Sequence, residues 1–216
     1  IERNTKPNSS GDKPPGQLPL EISEILASNE TGLEDGNGRR SDWIEIYNPN
    51  FSTVVLTGYH LTDNPSNLTK WTFPATTIAA RTRIVIFTTG DDMTDPAGNR
   101  HTNFRLSGSG EYLALVKPDS SEIDDVIRPG YPEQFNDVSY GRPSSGGGRI
   151  FFATPTPNSA NSASGSLGVV KDTNFSIDRG FYDTPFDLAI TSATPNSTIR
   201  YTLDGSLPSL SNGSTY

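Results

Sequence analysis

The sequence has no cysteine, which excludes disulfides, thiolate nucleophiles, zinc–thiolate centres and iron–sulfur clusters together. Packing and hydrogen bonding must hold the fold. Histidine is nearly absent: His60 and His101 are the only two in 216 residues, so any Ser-His-Asp relay would have to use one of them. His60 sits in the strand-like run TGYHLTD, and His101 lies in a polar loop beside Arg100 with no G-x-S-x-G run nearby. Neither is read as catalytic. No run of 18 apolar residues occurs, so no membrane span is expected, and the polar start has no signal-peptide core. Basic residues are scattered, with Arg39-Arg40 the longest run. The formal charge is −8, and residues 20–166 carry 11 Lys and Arg against 18 Asp and Glu. Duplex nucleic acid and anionic membranes are repelled on average by such a field, so nucleic acid is not expected as a partner. No window repeats apolar residues at the helical period.

What is present is turn chemistry and short apolar runs. Twenty Gly and 17 Pro, with many Ser, Thr and Asn, favour strands and turns. Residues 1–19 are almost free of apolar side chains and read as a flexible linker. LEISEILA (20–27), DWIEIYN (42–48), TVVLTGYHLTD (53–63), KWTFP (70–74), RIVIFTT (83–89), EYLALVKP (111–118), IDDVI (123–127) and VSYGR (138–142) read as strands bounded by turn formers. At least seven strands in this span predict an antiparallel β-sandwich over 20–142. Residues 143–167, rich in Gly, Ser and Pro, read as a linker. The runs FSI, FDLAIT and TIRYTLDGS after Gly168, the last entering an Asp204-Gly205 turn, predict a partial second β module over 168–216.

Candidate binding residues lie in the two longest polar loops, 29–41 and 90–103. Glu34, Asp35 and Asn37 surround Gly36, and Asp91, Asp92 and Asp95 precede Gly98-Asn99. Oxygen-rich glycine loops of this kind can wrap calcium, and Asp91, Asp92 and Asp95 form the better candidate set. Neither loop has EF-hand spacing, and Asp, Asn and Gly are also ordinary turn residues, so a cofactor-free loop is the competing reading. In DWIEIYNP, alternation puts Ile44 and Ile46 on one face and Trp43, Glu45 and Tyr47 on the other, with Asp42 and Asn48 at the ends. A buried Glu45 would need donors from a backbone amide, a hydroxyl or an arginine. Asp124 and Asp125 are adjacent and so expected on opposite strand faces, which gives no paired carboxylates for glycoside hydrolysis. Trp71, Tyr112, Tyr131, Phe181 and Tyr182 are the aromatics that would serve a sugar-stacking platform if exposed.

ISEILASN, DWIEIYNP, LTGYHLTD, KWTFP, IVIFTTG, NFRLSGSGEYLAL, IDDV, SYGR and TPTPNSAN, in that order across about 20–161, resemble the lamin-tail domain family. The resemblance implies an immunoglobulin-like β-sandwich, with Asp42, Trp43, Glu45, Tyr47 and Asn48 in a structural motif. GFYDTPFDLAIT and TIRYTLDGSLPS are similar to the C-terminal β-sandwich module of chitobiase and β-hexosaminidase enzymes, which implies an accessory part and no glycosidase chemistry. Chains that combine the two often continue into a CotH-like kinase region. The start at Ile1 and the lack of cysteine are read as a segment of a large exported bacterial protein at the cell surface or outside the cell. The expected function is a non-catalytic structural or interaction module with no cofactor, contacting other domains of its own polypeptide and cell-surface protein or glycan. The alternative is an accessory carbohydrate-binding module.

Overall fold

The computed structural model describes residues 17–120 and 122–216. Two compact units share the chain, the first ending at Leu167 and the second running Gly168–Tyr216. No helix occurs among the described residues, and none is long and apolar enough to cross a membrane. The first unit is built from β1 (Glu21–Leu26), β2 (Trp43–Tyr47), β3 (Val54–Val55), β4 (His60–Thr62), β5 (Trp71–Thr72), β6 (Thr77–Ile78), β7 (Arg83–Phe87), β8 (Arg100–His101), β9 (Leu113–Val116), β10 (Ile123–Ile127), β11 (Ser139–Gly141) and β12 (Ile150–Phe152).

These strands form a six-stranded sheet, β12-β11-β1-β2-β7-β8, a four-stranded sheet, β10-β9-β4-β5, and a β3-β6 ribbon. Pairing is antiparallel except for β7 with β8. The period of two along β2 sorts its residues by face: Ile44 and Ile46 enter the main core with Ile22, Ile25, Leu113 and Leu115, between the two larger sheets. Each fully buried aliphatic side chain there contributes about 1.5–3 kcal/mol. Trp43 packs on the opposite face with Leu26, Val85 and Phe87. The result is the all-β sandwich expected from the strand count, of the immunoglobulin-like kind that the resemblance implies.

Several local expectations are corrected. The run 53–63 is not one strand, because Gly58 takes φ 83° and the Tyr59 N–H returns to the Leu56 carbonyl, splitting it into β3 and β4. Loop 90–103 contains β8, which adds to the sheet edge beside β7. A bulge between Ile123 and Asp125 overrides simple alternation, so Asp124 and Asp125 both reach β1 and accept the N–H groups of Leu20 and Ile22 at 3.2 and 2.9 Å. Asp125 also binds Arg142 and Arg149. Residues 143–167 are no free linker: β12 pairs with β11, Phe151 bridges Ser166, and the stretch between them crosses the outer face of the sheet as a strap. Of the expected linker over 1–19, residues 1–16 lie outside the described residues, and Leu18 is tied to Asn50 through its N–H and carbonyl.

The second unit holds two antiparallel pairs, β13 (Thr173–Phe175) with β14 (Ile190–Ser192) and β15 (Arg200–Tyr201) with β16 (Ser214–Thr215). The expected turn at Asp204-Gly205 forms, with Gly205 at φ 78° and the Ser206 N–H on the Asp204 carboxylate. Tyr182 and Phe186 meet edge to face at 4.6 Å beside a groove of about 750 Å³ lined also by Phe175 and Leu188.

Candidate functional site

Loops 29–41 and 90–103 are fastened into one body at one end of the six-stranded sheet. Asp95 is the hub. Its Oδ1 accepts the N–H groups of Ala97 and Asn99 at 3.0 and 2.9 Å, and its Oδ2 accepts the Gly36 N–H at 2.6 Å and the Asn99 amide at 2.8 Å. Burial opposes the charge, but these donors and His101 hold the Asp95 carboxyl well below the usual range. Asp35 is built the same way: burial opposes its charge, and the N–H groups of Arg39 and Asn37 together with the Arg39 guanidinium lower its pKa. Arg39 reaches on to Asp91 at 2.8 Å, and Arg40 pairs with Glu34 at 2.7 Å. A side chain at Gly36 would place its Cβ 2.6 Å from the Asp95 carboxylate, so only glycine allows the loops to approach this closely.

The calcium candidates do not converge. Asp91 faces Arg39, Asp92 turns away at φ 49° to accept the Trp71 indole N–H at 2.9 Å, and Asp95 points inward to its amides. Asn37 acts through its backbone N–H on Asp35, and Asn99 through both its backbone N–H and its side-chain amide on Asp95. Among the described residues no three His, Cys, Asp or Glu side chains are grouped to hold a metal ion.

His101 is expected from the sequence in a polar loop. It is fully buried, stacked on Phe87, with Nε2 3.2 Å from Asp95 Oδ2 and Nδ1 3.2 Å from Thr89 Oγ1. A carboxylate only accepts, so the network assigns the proton to Nε2 and leaves Nδ1 to accept from Thr89. The order Asp, His, hydroxyl matches a hydrolase relay, yet the imidazole is sealed from solvent and Thr89 Oγ1 already accepts the Asp91 N–H. The relay serves as a brace between loop and sheet. His60 is likewise buried, with Nδ1 3.0 Å from the cross-strand Thr72 hydroxyl.

Beside this body lies a cleft of about 320 Å³ lined by Arg39, Ser41, Asp42, Thr88, Thr89 and Arg105. Burial raises the Asp42 pKa, opposed by the Asn29 N–H and the field of Arg105. Arg105 is exposed and makes no hydrogen bond or ion pair among the described residues.

A second polar assembly occupies the middle of the same sheet's outer face. Glu24 and Glu45 are both fully buried and stand directly opposite each other on β1 and β2. A bulge between Ile22 and Glu24 aims the Ser23 hydroxyl at Glu45 Oε1, 2.6 Å away. The strap supplies the rest: the Asn158 N–H donates to Glu45 Oε2 at 2.6 Å, and the Thr156 N–H and hydroxyl donate to Glu24 at 3.2 and 3.1 Å. Ser139 also donates to Glu24. Arg83 Nε lies 3.2 Å from Glu45 Oε1 but lacks hydrogen-bond alignment, so it acts on Glu45 as a charge. Burial, with Glu24 across the strand gap, pushes Glu45 up to about 7 despite these donors. Burial raises Glu24 as well. Asn161 locks the strap by donating to the carbonyls of Ser23 and Arg142. Of the donors expected for Glu45, the hydroxyl and the backbone amide are thus present and the arginine contributes only its charge, and neither carboxylate opens on a cleft described above.

The aromatic candidates divide. Trp71, Tyr112 and Tyr131 are buried, Trp71 against Phe73, and cannot form a platform, whereas Phe181 and Tyr182 of the second unit are exposed.

Two family models match the chain. One described as Lamin Tail Domain matches residues 14–129, and one described as Fn3 associated matches residues 188–216. No curated protein and no solved structure matches. Ser139, Thr156, Asn158 and Asn161, which close the carboxylate pair, lie beyond the first match.

Proposed function

The chain belongs to the lamin tail domain family, and from that premise we propose that it is a non-catalytic interaction module of a larger exported bacterial protein. The observation that carries the reading is the fused double loop. Asp95 and Arg39 tie segments far apart in sequence into one preorganised surface, and its carboxylates and histidine are used up by internal bonds. Such a surface presents shape and the free guanidinium of Arg105 without a group poised for proton or acyl transfer. Its partners are other domains of the same polypeptide and proteins at the cell surface. Any chemistry of the CotH-like kinase type would reside in another part of that polypeptide. Residues 168–216 act as an accessory module of the chitobiase C-terminal type, a reading supported by GFYDTPFDLAIT and TIRYTLDGSLPS.

The test is carboxylate-directed cross-linking in the full-length polypeptide on cells. Links from Glu34 and Asp91 to a second domain or protein, lost on Arg40→Glu with Arg105→Glu, are expected; links that persist unchanged sink the reading. A cofactor is not part of it: calcium is expected to leave the melting temperature unchanged, and a chelator-reversible rise of several degrees would put a metal at Asp91, Asp92 and Asp95.

A second reading, an accessory carbohydrate-binding role, is favoured by one observation. An open aromatic and guanidinium cluster, at Tyr47, Phe51, Arg81 and Arg83, lies at the other end of the six-stranded sheet.

A further inference from the structure

Phe51 is 90% exposed, yet it does not sit on a loose loop. Beneath it the Asn48 side chain is fully buried and donates to the carbonyls of Ser52, Ile78 and Ala79. The Asn48 side-chain Oδ1 accepts the N–H and side-chain amide of Asn50, which in turn is bonded to both backbone groups of Leu18. The turn before β7 is clipped on from the side, because the Arg81 N–H donates to the Asn50 carbonyl at 3.1 Å and its guanidinium to the Pro49 carbonyl at 3.0 Å. A rigid loop holding a large apolar ring in water gains nothing for folding, since exposure forgoes the burial free energy of the ring.

Arg81 points the same way. It adopts φ 58°, a left-handed backbone where Gly or Asn is the low-cost choice. Its guanidinium lies 5.3 Å from the Phe51 ring and 5.8 Å from the Tyr47 ring, and it has no ion pair among the described residues. Arg83 follows at 4.2 Å from Tyr47 and is itself held by Glu45. Ring, cation, ring, cation therefore succeed one another from the open tip to the buried carboxylate.

We propose that Phe51, Arg81 and Tyr47 form a preorganised platform for a polysaccharide that carries carboxylates on its sugar rings. This rests on the second reading above and is independent of loops 29–41 and 90–103. The C–H-rich face of a pyranose stacks on an open aromatic ring, and a carboxylate on that sugar pairs with a planar guanidinium beside it. A polymer that alternates flat rings and carboxylates complements a ladder that alternates rings and guanidinia. An acidic peptide supplies the charges without a ring at each repeat, which makes it the weaker match.

The test is affinity electrophoresis of the 216-residue protein through gels containing polygalacturonate, neutral dextran or poly-glutamate. Retardation by polygalacturonate is expected, weakened at least about tenfold by Phe51→Ala and by Arg81→Asn. Asn tolerates the left-handed backbone, and melting temperatures within about 2 °C of the parent show that both variants stay folded. Arg179→Asn, which removes the same charge from the second unit, should leave retardation unchanged. Retardation by polygalacturonate that survives both variants overturns the site and spares the carbohydrate reading; no retardation by either polysaccharide overturns both. Poly-glutamate binding as strong as polygalacturonate binding, and indifferent to Phe51→Ala, would make the patch a charge site for acidic peptides and overturn the sugar assignment.

Discussion

Asp95 and Glu45 are both buried carboxylates in hydrogen-bonded networks of the same sandwich, and their acidities move in opposite directions. Asp95 collects amide donors on both oxygens, from its own turn and from Gly36 of the other loop, with His101 alongside and no second carboxylate bonded into the hub among the described residues. Glu45 has fewer donors, a charge at Arg83 that is not aligned to bond, and Glu24 across the strand gap. Burial penalises the charge in both places. What decides the outcome is how many N–H groups converge and whether a like charge shares the site. The loop network therefore favours the charged form of its acids, and the strap network raises both of its own, Glu45 to about 7.

The hardest blow to this pairing is to end the chain at residue 129, where the family match stops. That removes β11, β12 and the strap, strips Glu24 and Glu45 of Ser139, Thr156 and Asn158, and leaves β1 unpaired on one edge; the bonds of Asp35 and Asp95 keep their partners, while loop 29–41 loses the Asp137 carboxylate that accepts the N–H groups of Glu30 and Thr31 and its Asn136 contacts. The expected result is loss of cooperative unfolding in circular dichroism melts, against a single transition when the chain extends to residue 167. Smaller is the effect of Asp95→Asn, which puts an amide donor against the Gly36 N–H and the His101 ring. Urea titration should show a loss of about 2–4 kcal/mol; a cost near zero would mean that the charge at Asp95 contributes little.

The mildest probe is pH. Glu45 has a folded pKa raised from 4.5 to about 7, so its contribution is fully present below 4.5 and is lost as pH rises through 7. Asp35 and Asp95 have lowered values, so their contributions are present above the ordinary carboxylate pKa of 3.8 and are lost as pH falls below it. Stability should peak in mild acid and decline toward pH 8 by on the order of 2 kcal/mol. Glu45→Gln should flatten the alkaline side and leave the acid side steep. A parent profile that rises from pH 5 to pH 8 would contradict the assignment of Glu45.

The parts of the molecule legible in the sequence are those fixed by near neighbours. Ile44 and Ile46 announce their inward face because a strand alternates regardless of its partners, and Asp204-Gly205 makes its turn from two residues. The strap escaped for the opposite reason. Its composition is that of a linker, and its polar groups acquire meaning only against Glu24 and Glu45, which lie 132 and 113 positions away from Thr156 and Asn158. His101 stands in a run of polar residues that gives no sign of burial, yet the polar residues around it turn inward to serve its own network. Phe51 was passed over because a lone aromatic between Asn50 and Ser52 carries no period, and its exposure is decided by the buried Asn48. Bulges at Ser23 and Asp124 leave no signature that alternation can detect, although they aim Ser23, Glu24, Asp124 and Asp125.

The strap also sets a timetable. β1 is made first and lies in the interior of the six-stranded sheet, with β2 on one side and β11, more than a hundred residues later, on the other. During synthesis its second edge must wait unpaired until β11 arrives, and Glu24 and Glu45 remain open to water until Thr156 and Asn158 emerge. Contacts of such sequence separation close slowly. The late arrival of eight residues, 154–161, therefore makes completion of the sandwich a nearly all-or-none event once its last segment has emerged, and the waiting edge of β1 is the surface that a chaperone would have to guard.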